Sequence, residues 1–492
     1  MNPLRIDLDR VALKLRRTRI VATVGPACSD PTVLRQLADY VDVFRLNFSH
    51  GSHAQHGAAI AAIRAVAVAA GREIAILGDL CGPKIRVGRF TGGGIDLVDG
   101  STVTGTVRPV AGEPGLIPSE YQALVTDARV GARVLLDDGK LELKITAIVG
   151  PDLTCTVVHG GRLTDRKGMN LPDLLVSAPA VTEKDIADAH FAVRAGVDFV
   201  ALSFVRDGDD IRGLRKLLNA DGFNVPIVAK IERPEALNNI ADIIAAADAL
   251  MVARGDLGVE VPAEEVPLIQ QELIRLGITT NTPVIVATQM LESMITAPRP
   301  TRAEVTDVSA AARAGADAVM LSGETASGQF PLLAVQTMDR VLRMVEGHQW
   351  HHNQFGRIVE TQPAVIDLSN AGQALSEALS RAVAMLSRDL HVRAIIVPTD
   401  SGRTAQMVSA ERPAAPVVAL CPNAALARRL KLNWGLLPHV VGAMPDRAAI
   451  PTLARDYAAQ LGFAARGDFV LLVWNPAQLG ATTAPTVTIL QA

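Results

Sequence analysis

Cysteine is scarce: Cys28, Cys81, Cys155 and Cys421 are the only four in 492 residues, and none has the spacing of a metal motif. This excludes a disulfide scaffold and a thiolate metal centre, and points to reduced thiols in a cytoplasmic protein. Aromatic residues make up only 3%, too few for a surface that stacks nucleic-acid bases. The net charge of −3 also offers no bulk attraction for a polyanion. No apolar run of membrane-spanning length is free of charge, and Arg64 interrupts the alanine-rich candidate Ala58–Ala70. Met1–Arg19 is basic but has no apolar signal core, so nothing indicates export. What the chain does have is a 49% hydrophobic content and enough length for two to four domains.

Short β-branched runs alternate with helical patterns over most of the first 345 residues. The expected strands are Arg19–Val24, Val43–Asn47, Glu73–Asp79, Phe199–Phe204, Pro226–Lys230, Ala249–Arg254, Pro283–Thr288 and Ala318–Ser322. Between them fall helical patterns such as Thr32–Tyr40, Ile186–Ala195, Leu237–Ala247, Val266–Leu276, Arg302–Ala314 and Leu332–Val345. An open doubly wound sheet has the same local alternation. The strand count, and the polar residues at almost every strand's C-terminal end, favour a (β/α)8 TIM barrel, which carries its chemistry on that face.

From about Gly88 to Leu171 the chain becomes turn-rich, with short strands at Ser101–Val107, Arg133–Leu136, Leu141–Val149 and Asp152–Val158. Such a stretch is too long for a structureless loop, so an inserted all-β domain placed to act as a lid is expected. Trp350–Gln362 reads as a connection. A second alternation (Val392–Val397, Val417–Leu420, Phe469–Val473) then predicts an open α/β domain. The expected organisation is a barrel at 1–87 and 173–345, a lid at 88–172, and a C-terminal effector-binding domain at 346–492.

The strand ends gather a coherent set of groups. Glu232 and Asp256 follow adjacent strands and can hold a hard divalent ion such as Mg²⁺. Lys230, two residues before Glu232, points to the same side of its strand. Arg45 and Thr288 end two further strands, and the amides after Gly255 can face an anion if the chain turns helical there. Taken singly, each charge has a plain explanation, such as an ion pair of Glu232 with Arg233 or of Asp256 with Arg254. Together, at one end of one barrel, they suit a phosphorylated anionic substrate, a metal and a developing negative charge. The stretch Gly78-Asp-Leu-Cys-Gly-Pro-Lys-Ile-Arg86 poses a separate question: why Lys84 stands so near Asp79 when Arg86 already supplies a cation. A surface ion pair beside a turn is the plain answer.

The runs Arg45-Leu-Asn-Phe-Ser-His-Gly51, Gly78–Arg86, Lys167-Gly-Met-Asn-Leu-Pro172, Ala229-Lys-Ile-Glu232, Ala253-Arg-Gly-Asp-Leu-Gly258, Ala287–Met294 and Met320–Ala326 closely resemble those of pyruvate kinase, in the same order. The resemblance implies transfer of the phosphoryl group of phosphoenolpyruvate to ADP, a homotetramer, and the following roles. Lys230, Thr288 and Arg45 are catalytic. Arg45, Lys230, Gly255, Asp256 and Thr288 bind the substrate. Glu232 and Asp256 bind Mg²⁺, and Asn47, His50, Arg86 and Lys167 bind the nucleotide, with a second Mg²⁺. Gln55 stands where the family often has a tyrosine beside the adenine.

In most of the family the residue matching Lys84 is Glu, and K⁺ sits among positions matching Asn47, Ser49, Asp79 and the Leu80 carbonyl. This chain resembles the branch with Lys there, which implies a built-in cation, held with the help of Asp79, and no need for K⁺. Thr399-Asp-Ser-Gly-Arg-Thr404 resembles the family's effector loop, with Thr399, Ser401, Gly402, Arg403 and Thr404 as a phosphate cradle. Asp400, where members responsive to fructose-1,6-bisphosphate often carry Lys, and no basic residue in Asn475–Thr486, imply a sugar monophosphate or nucleotide monophosphate as effector in place of a bisphosphate. The alternatives are a dikinase-like or lyase-like barrel acting on an enolpyruvate, and a regulatory binding protein that has lost its chemistry.

Overall fold

The computed structural model describes residues 13–355, 371–444, 447–474 and 486–492. Strands β1 (Arg19–Thr23), β2 (Val43–Asn47), β3 (Ala75–Asp79), β4 (Phe199–Leu202), β5 (Ile227–Ile231), β6 (Ala249–Ala253), β7 (Val284–Ala287) and β8 (Ala318–Leu321) close into one barrel. Every neighbouring pair, including β1 with β8, is parallel. These strands read as continuous apolar runs because both of their faces are covered. One face packs on the surrounding helices. The other fills the interior with Val21, Val43, Leu77, Met251, Ile285 and Met320, among others, and this interior cluster also contains Leu432 from the C-terminal part of the chain.

Local signals set the helix ends. The helix Arg302–Ala314 starts at a Thr301–Glu304 capping box and stops at Gly315, whose φ of +89° ends it in the left-handed conformation. Two expectations need correction. Leu237–Ala247 is not one helix but two, Pro234–Asn238 and Ile240–Ala246. Asn239 interrupts them, and its side-chain amide donates to the Arg206 carbonyl. The helix expected to end at Val345 runs from Pro331 to His351. It therefore absorbs Trp350 and His351 from the supposed connection, since nothing between Val345 and His351 terminates it strongly. Residues 356–362 of that connection lie outside the described residues.

Between β3 and β4 lie a six-stranded sheet and a two-stranded one, the latter pairing Gly94–Leu97 with Gly161–Thr164. They enclose a separate apolar cluster around Val103, Val134, Leu143 and Val157. The C-terminal part forms a five-stranded sheet in the order Leu436–Val440, Val417–Cys421, Ala394–Pro398, Phe469–Trp474, Thr486–Gln491, with the last strand antiparallel. It packs on the N-terminal end of the barrel through Lys431–Trp434. There Arg19 donates to the Asn433 carbonyl at 2.9 Å, and the Trp434 amide donates to Asp317 at 3.0 Å. Among the described residues no helix is long and apolar enough to cross a membrane.

Candidate active site

Asp79, at the end of β3, is the centre of the charged cluster. The β2–β3 register sets Asn47 opposite Asp79, and Arg45, two residues earlier on β2, points to the same side. Arg45 Nε donates to Asp79 Oδ2 at 2.7 Å, and Nη2 stands 2.6 Å from the same oxygen. Lys230 Nζ is 3.3 Å from the other oxygen. Complete burial opposes the charge on Asp79, but Lys230 and Arg45 outweigh it and hold the carboxyl below its ordinary value. Burial likewise opposes the Lys230 charge, and Asp79 with Glu232 more than offsets it, so the ammonium stays protonated.

Glu232, just past β5, is 1% exposed and is anchored by one oxygen only, Oε2 accepting from the Phe204 amide at 2.7 Å. Its Oε1 lies 3.0 Å from Lys230 Nζ as an ion pair and has no other partner. Burial first, and then the Asp256 carboxylate, push the Glu232 carboxyl above its ordinary value against the pull of Lys230. A buried carboxylate oxygen whose one partner is a single ammonium, repelled by a second carboxylate, suits a hard cation. Among the described residues no cluster of three or more His, Cys, Asp or Glu forms a closed metal cage. Two carboxylates leave the remaining coordination to substrate oxygens and water, as Mg²⁺ prefers. Glu232 does not pair with Arg233, which lies instead over the Phe204 ring at 5.5 Å.

The chain turns helical directly after β6, in Arg254–Glu260, so that Gly255 and Asp256 occupy the first turn. The Gly255 amide donates to Thr288 Oγ1 at 2.7 Å, joining the two groups expected to hold one carboxylate. Thr288 and Gln289 have φ of +67° and +55°, a left-handed pair that costs about 1–3 kcal/mol per residue. Arg254 supports this turn, donating to the Thr288 carbonyl at 2.6 Å and the Ala287 carbonyl at 3.3 Å. It pairs with Asp307 at 2.7 Å, not with Asp256.

The inserted sheets reach this face. Asn170 donates to Glu260 Oε1 at 2.8 Å. Lys167 pairs with Asp137 at 2.7 Å, Arg86 donates to the Arg166 carbonyl at 3.0 Å, and Arg86 bridges Gly168. Arg86 and Lys167 therefore sit on one connection. Asn47 Oδ1 accepts from the Ser49 amide at 3.1 Å, and the carbonyl of the exposed His50 accepts from His56 Nε2 at 2.8 Å. Gln55 is committed to the capping box of the helix His53–Ala69, its Oε1 accepting from the Ser52 amide at 2.9 Å.

Lys84 differs from expectation. It is exposed, beside Gly168 of the inserted segment, with its Cε 3.8 Å from where a Cβ on that glycine would stand. Asp79 is held by Arg45 and Lys230, not by Lys84. The Leu80 carbonyl accepts from Ser203 Oγ at 2.7 Å. In the C-terminal part, Thr399 Oγ1 accepts from the Gly402 amide at 2.9 Å, Gly402 has a φ of +87°, and Arg403–Ala410 is helical with no side-chain cap. Arg403 is exposed, while residues 475–485 of the final loop lie outside the described residues.

Sequence reasoning passed over two residues. Ser203 was visible only as a polar strand end, and Arg254 only as a partner for its own neighbour. Neither contact is readable from spacing, because Lys230 comes from the neighbouring strand β5 and Asp307 from the helix Arg302–Ala314.

A closed barrel with cations and carboxylates gathered at the C-terminal ends of its strands defines an enzyme that handles a small anionic substrate. Residues 15–335 match the family description "Pyruvate kinase, barrel domain", and residues 377–489 match "Pyruvate kinase, alpha/beta domain". The chain is 44% identical to the pyruvate kinase of Geobacillus stearothermophilus over 93% of its own length and 77% of that protein's. It is 42% identical to that of Mycobacterium intracellulare over 95% and 97%. A crystal structure of a pyruvate kinase from Cryptosporidium parvum superposes with a TM-score of 0.87 at 33% identity, covering 97% of this chain and 96% of that one. The chain belongs to the pyruvate kinase family, and it is accordingly a phosphotransferase.

Proposed function

We propose that the chain transfers the phosphoryl group of phosphoenolpyruvate to ADP, releasing pyruvate and ATP. The observation that carries this reading is Asp79 gripped by Arg45 and Lys230 beside the Glu232–Asp256 carboxylate pair. Arg45 binds the phosphate. Lys230 neutralises the phosphoryl group in transit and the enolate it leaves. Phosphoryl transfer asks mainly for such positioning and charge stabilisation. The Gly255 and Asp256 amides and Thr288 receive the carboxylate, exchanging the present Gly255–Thr288 hydrogen bond for the substrate. Thr288 lies beside the route by which the enolate is protonated. Asn47, His50, Arg86 and Lys167 hold the nucleotide. Glu232 and Asp256 hold Mg²⁺, and a second Mg²⁺ accompanies the nucleotide. Bound there, the metal supplies charge neutralisation between carboxylate and phosphate.

Residues 88–172 serve as a lid over the barrel (1–87 and 173–345), a reading supported by the Asn170–Glu260 contact. Activity without K⁺ is supported by two groups of the cation pocket that already have protein partners. Asp79 is already neutralised by protein cations, and the Leu80 carbonyl is satisfied by Ser203. Lys84 adds a mobile positive charge at its rim. Residues 346–492 form the effector-binding part, with Thr399, Ser401, Gly402, Arg403 and Thr404 receiving a monophosphorylated metabolite at an uncapped helix start. The active assembly is a homotetramer.

An assay that follows ATP formed from phosphoenolpyruvate and ADP tests the reading. Folded protein that binds phosphoenolpyruvate yet makes no ATP would favour a dikinase-like or lyase-like enzyme. Protein that neither binds nor turns it over would leave a regulatory binding protein.

A further inference from the structure

We infer that Ser203 is the positioning residue for Lys230, a neutral hydrogen-bond anchor that fixes the ammonium above the substrate. The inference rests on the assignment of Lys230 to the phosphoryl group. Lys230 Nζ touches three groups: Ser203 Oγ at 2.6 Å, Glu232 Oε1 at 3.0 Å and Asp79 Oδ1 at 3.3 Å. The first is the shortest and the only neutral one, whereas Glu232 Oε1 and Asp79 Oδ1 are held to the ammonium as ion pairs and have no other partner. An ammonium has no lone pair, so Ser203 Oγ must accept from it and turn its own proton elsewhere. That proton goes to the Leu80 carbonyl at 2.7 Å. The hydroxyl thus has a single permitted orientation, and its lone pairs face Nζ.

The anchor is itself immobilised. The Leu80 amide donates to the Ala201 carbonyl at 3.0 Å, so the Leu80 residue is tied to the end of β4 through both N–H and C=O. The next residue, Phe204, gives its amide to Glu232. Ser203 is 1% exposed, and its Cβ lies 2.9 Å from the position a Cβ on Gly82 would take, so no larger residue than glycine fits there without displacement. One short turn, Ser203-Phe204, therefore orients both the ammonium and the neighbouring carboxylate. Without the Ser203 oxygen, Nζ would be drawn to Asp79 and Glu232 by charge alone. Both are carboxylates on the protein side of the ammonium, so it would settle towards them and away from the transferring group. A displacement near 1 Å can cost about a hundredfold in rate, with little effect on ground-state binding.

The test compares Ser203→Ala, Ser203→Thr and Ser203→Val with Lys230→Met. Threonine and valine add the same branch, so any crowding is common to both, and their difference reads the hydroxyl alone. Expected are a fall in kcat of about tenfold to a hundredfold in Ser203→Ala and Ser203→Val, and a higher kcat in Ser203→Thr than in Ser203→Val. The dissociation constant for phosphoenolpyruvate, measured by calorimetry without ADP, should stay within about twofold of wild type. Added to Lys230→Met, Ser203→Ala should lower the residual rate no further. Near-normal kcat in Ser203→Ala, or equal rates in Ser203→Thr and Ser203→Val, would overturn the inference while leaving Lys230 in place. Near-normal turnover in Lys230→Met would instead remove the assignment on which it rests.

Discussion

Arg45 closes on a single oxygen of Asp79, with Nε at 2.7 Å and Nη2 at 2.6 Å, and leaves the other oxygen to Lys230. One buried carboxylate thereby holds two cations side by side and offsets their mutual repulsion. In the proposed reaction a substrate phosphate would meet charges already in place, the preorganisation that transition-state stabilisation requires.

Replacing Lys230 by Met is expected to lower kcat by about 10²–10³ or more, since a full charge is lost from a dry site. Phosphoenolpyruvate binding should weaken less. Steady-state kinetics together with ligand binding checks this, and a variant with near-normal turnover would exclude Lys230 from the chemistry.

For Glu232→Gln the expected change is a higher Mg²⁺ concentration for half-maximal activity. The amide oxygen carries no formal charge for the ion, and the repulsion with Asp256 that a cation relieves is gone. Mg²⁺ titrations of this variant and of Asp256→Asn that overlay the wild type would place the metal elsewhere.

Wild-type activity in K⁺-free buffer should nearly equal that in K⁺-rich buffer at matched ionic strength, matching being needed because salt alone screens a charged site. Lys84→Glu should lower activity without K⁺ and recover part of it when K⁺ is added. Lys84→Met should be impaired but respond less. A saturable K⁺ requirement in the wild type would reduce Lys84 to a surface cation.

At the effector loop, Arg403→Ala should weaken activation by sugar monophosphates or nucleoside monophosphates while sparing the unactivated rate. Linkage requires the substrate to tighten effector binding by the same factor. If every metabolite response survives unchanged, the loop is only a turn before a helix.

Glu411 supplies a pH test of stability. Burial raises its carboxyl, Arg381 and Arg412 oppose the rise and Glu377 adds to it, leaving the pKa at about 7 against an ordinary 4.5. The folded state therefore binds this proton more tightly than the unfolded state does. The associated stability is present below about pH 4.5 and is lost as the pH rises through about 7. Glu411→Gln should raise Tm relative to wild type at pH 8, by on the order of 1–2 kcal/mol of stability, and leave it nearly equal at pH 5. Parallel Tm curves for the two proteins would show that Glu411 ionises without cost.

The barrel was legible because strands covered on both faces read as unbroken apolar runs, and because their polar ends fell in step. Lys230, Glu232 and Asp79 were visible for the same reason. Their partners were not. Asp79 takes Arg45 and Lys230 in place of nearby Lys84, and Arg254 takes Asp307 in place of Asp256. Sequence proximity favours the neighbour, whereas the folded barrel brings strand ends and a surrounding helix together from distant parts of the chain. The break at Asn239 was hidden as well, since the carbonyl that rewards it belongs to Arg206, 33 positions earlier.

Leu432, at the end of the short helical turn Leu430–Leu432, reaches from the C-terminal part into the interior cluster of the barrel, so the barrel's floor is borrowed from another part of the chain. A C-terminal part transplanted from a relative would have to bring a stopper of matching volume, or leave a hole in that cluster. The two parts are consequently bound to change together, with Leu432 as the plug and Arg412 and Arg428 as the clasps on Asp317 and Asp198.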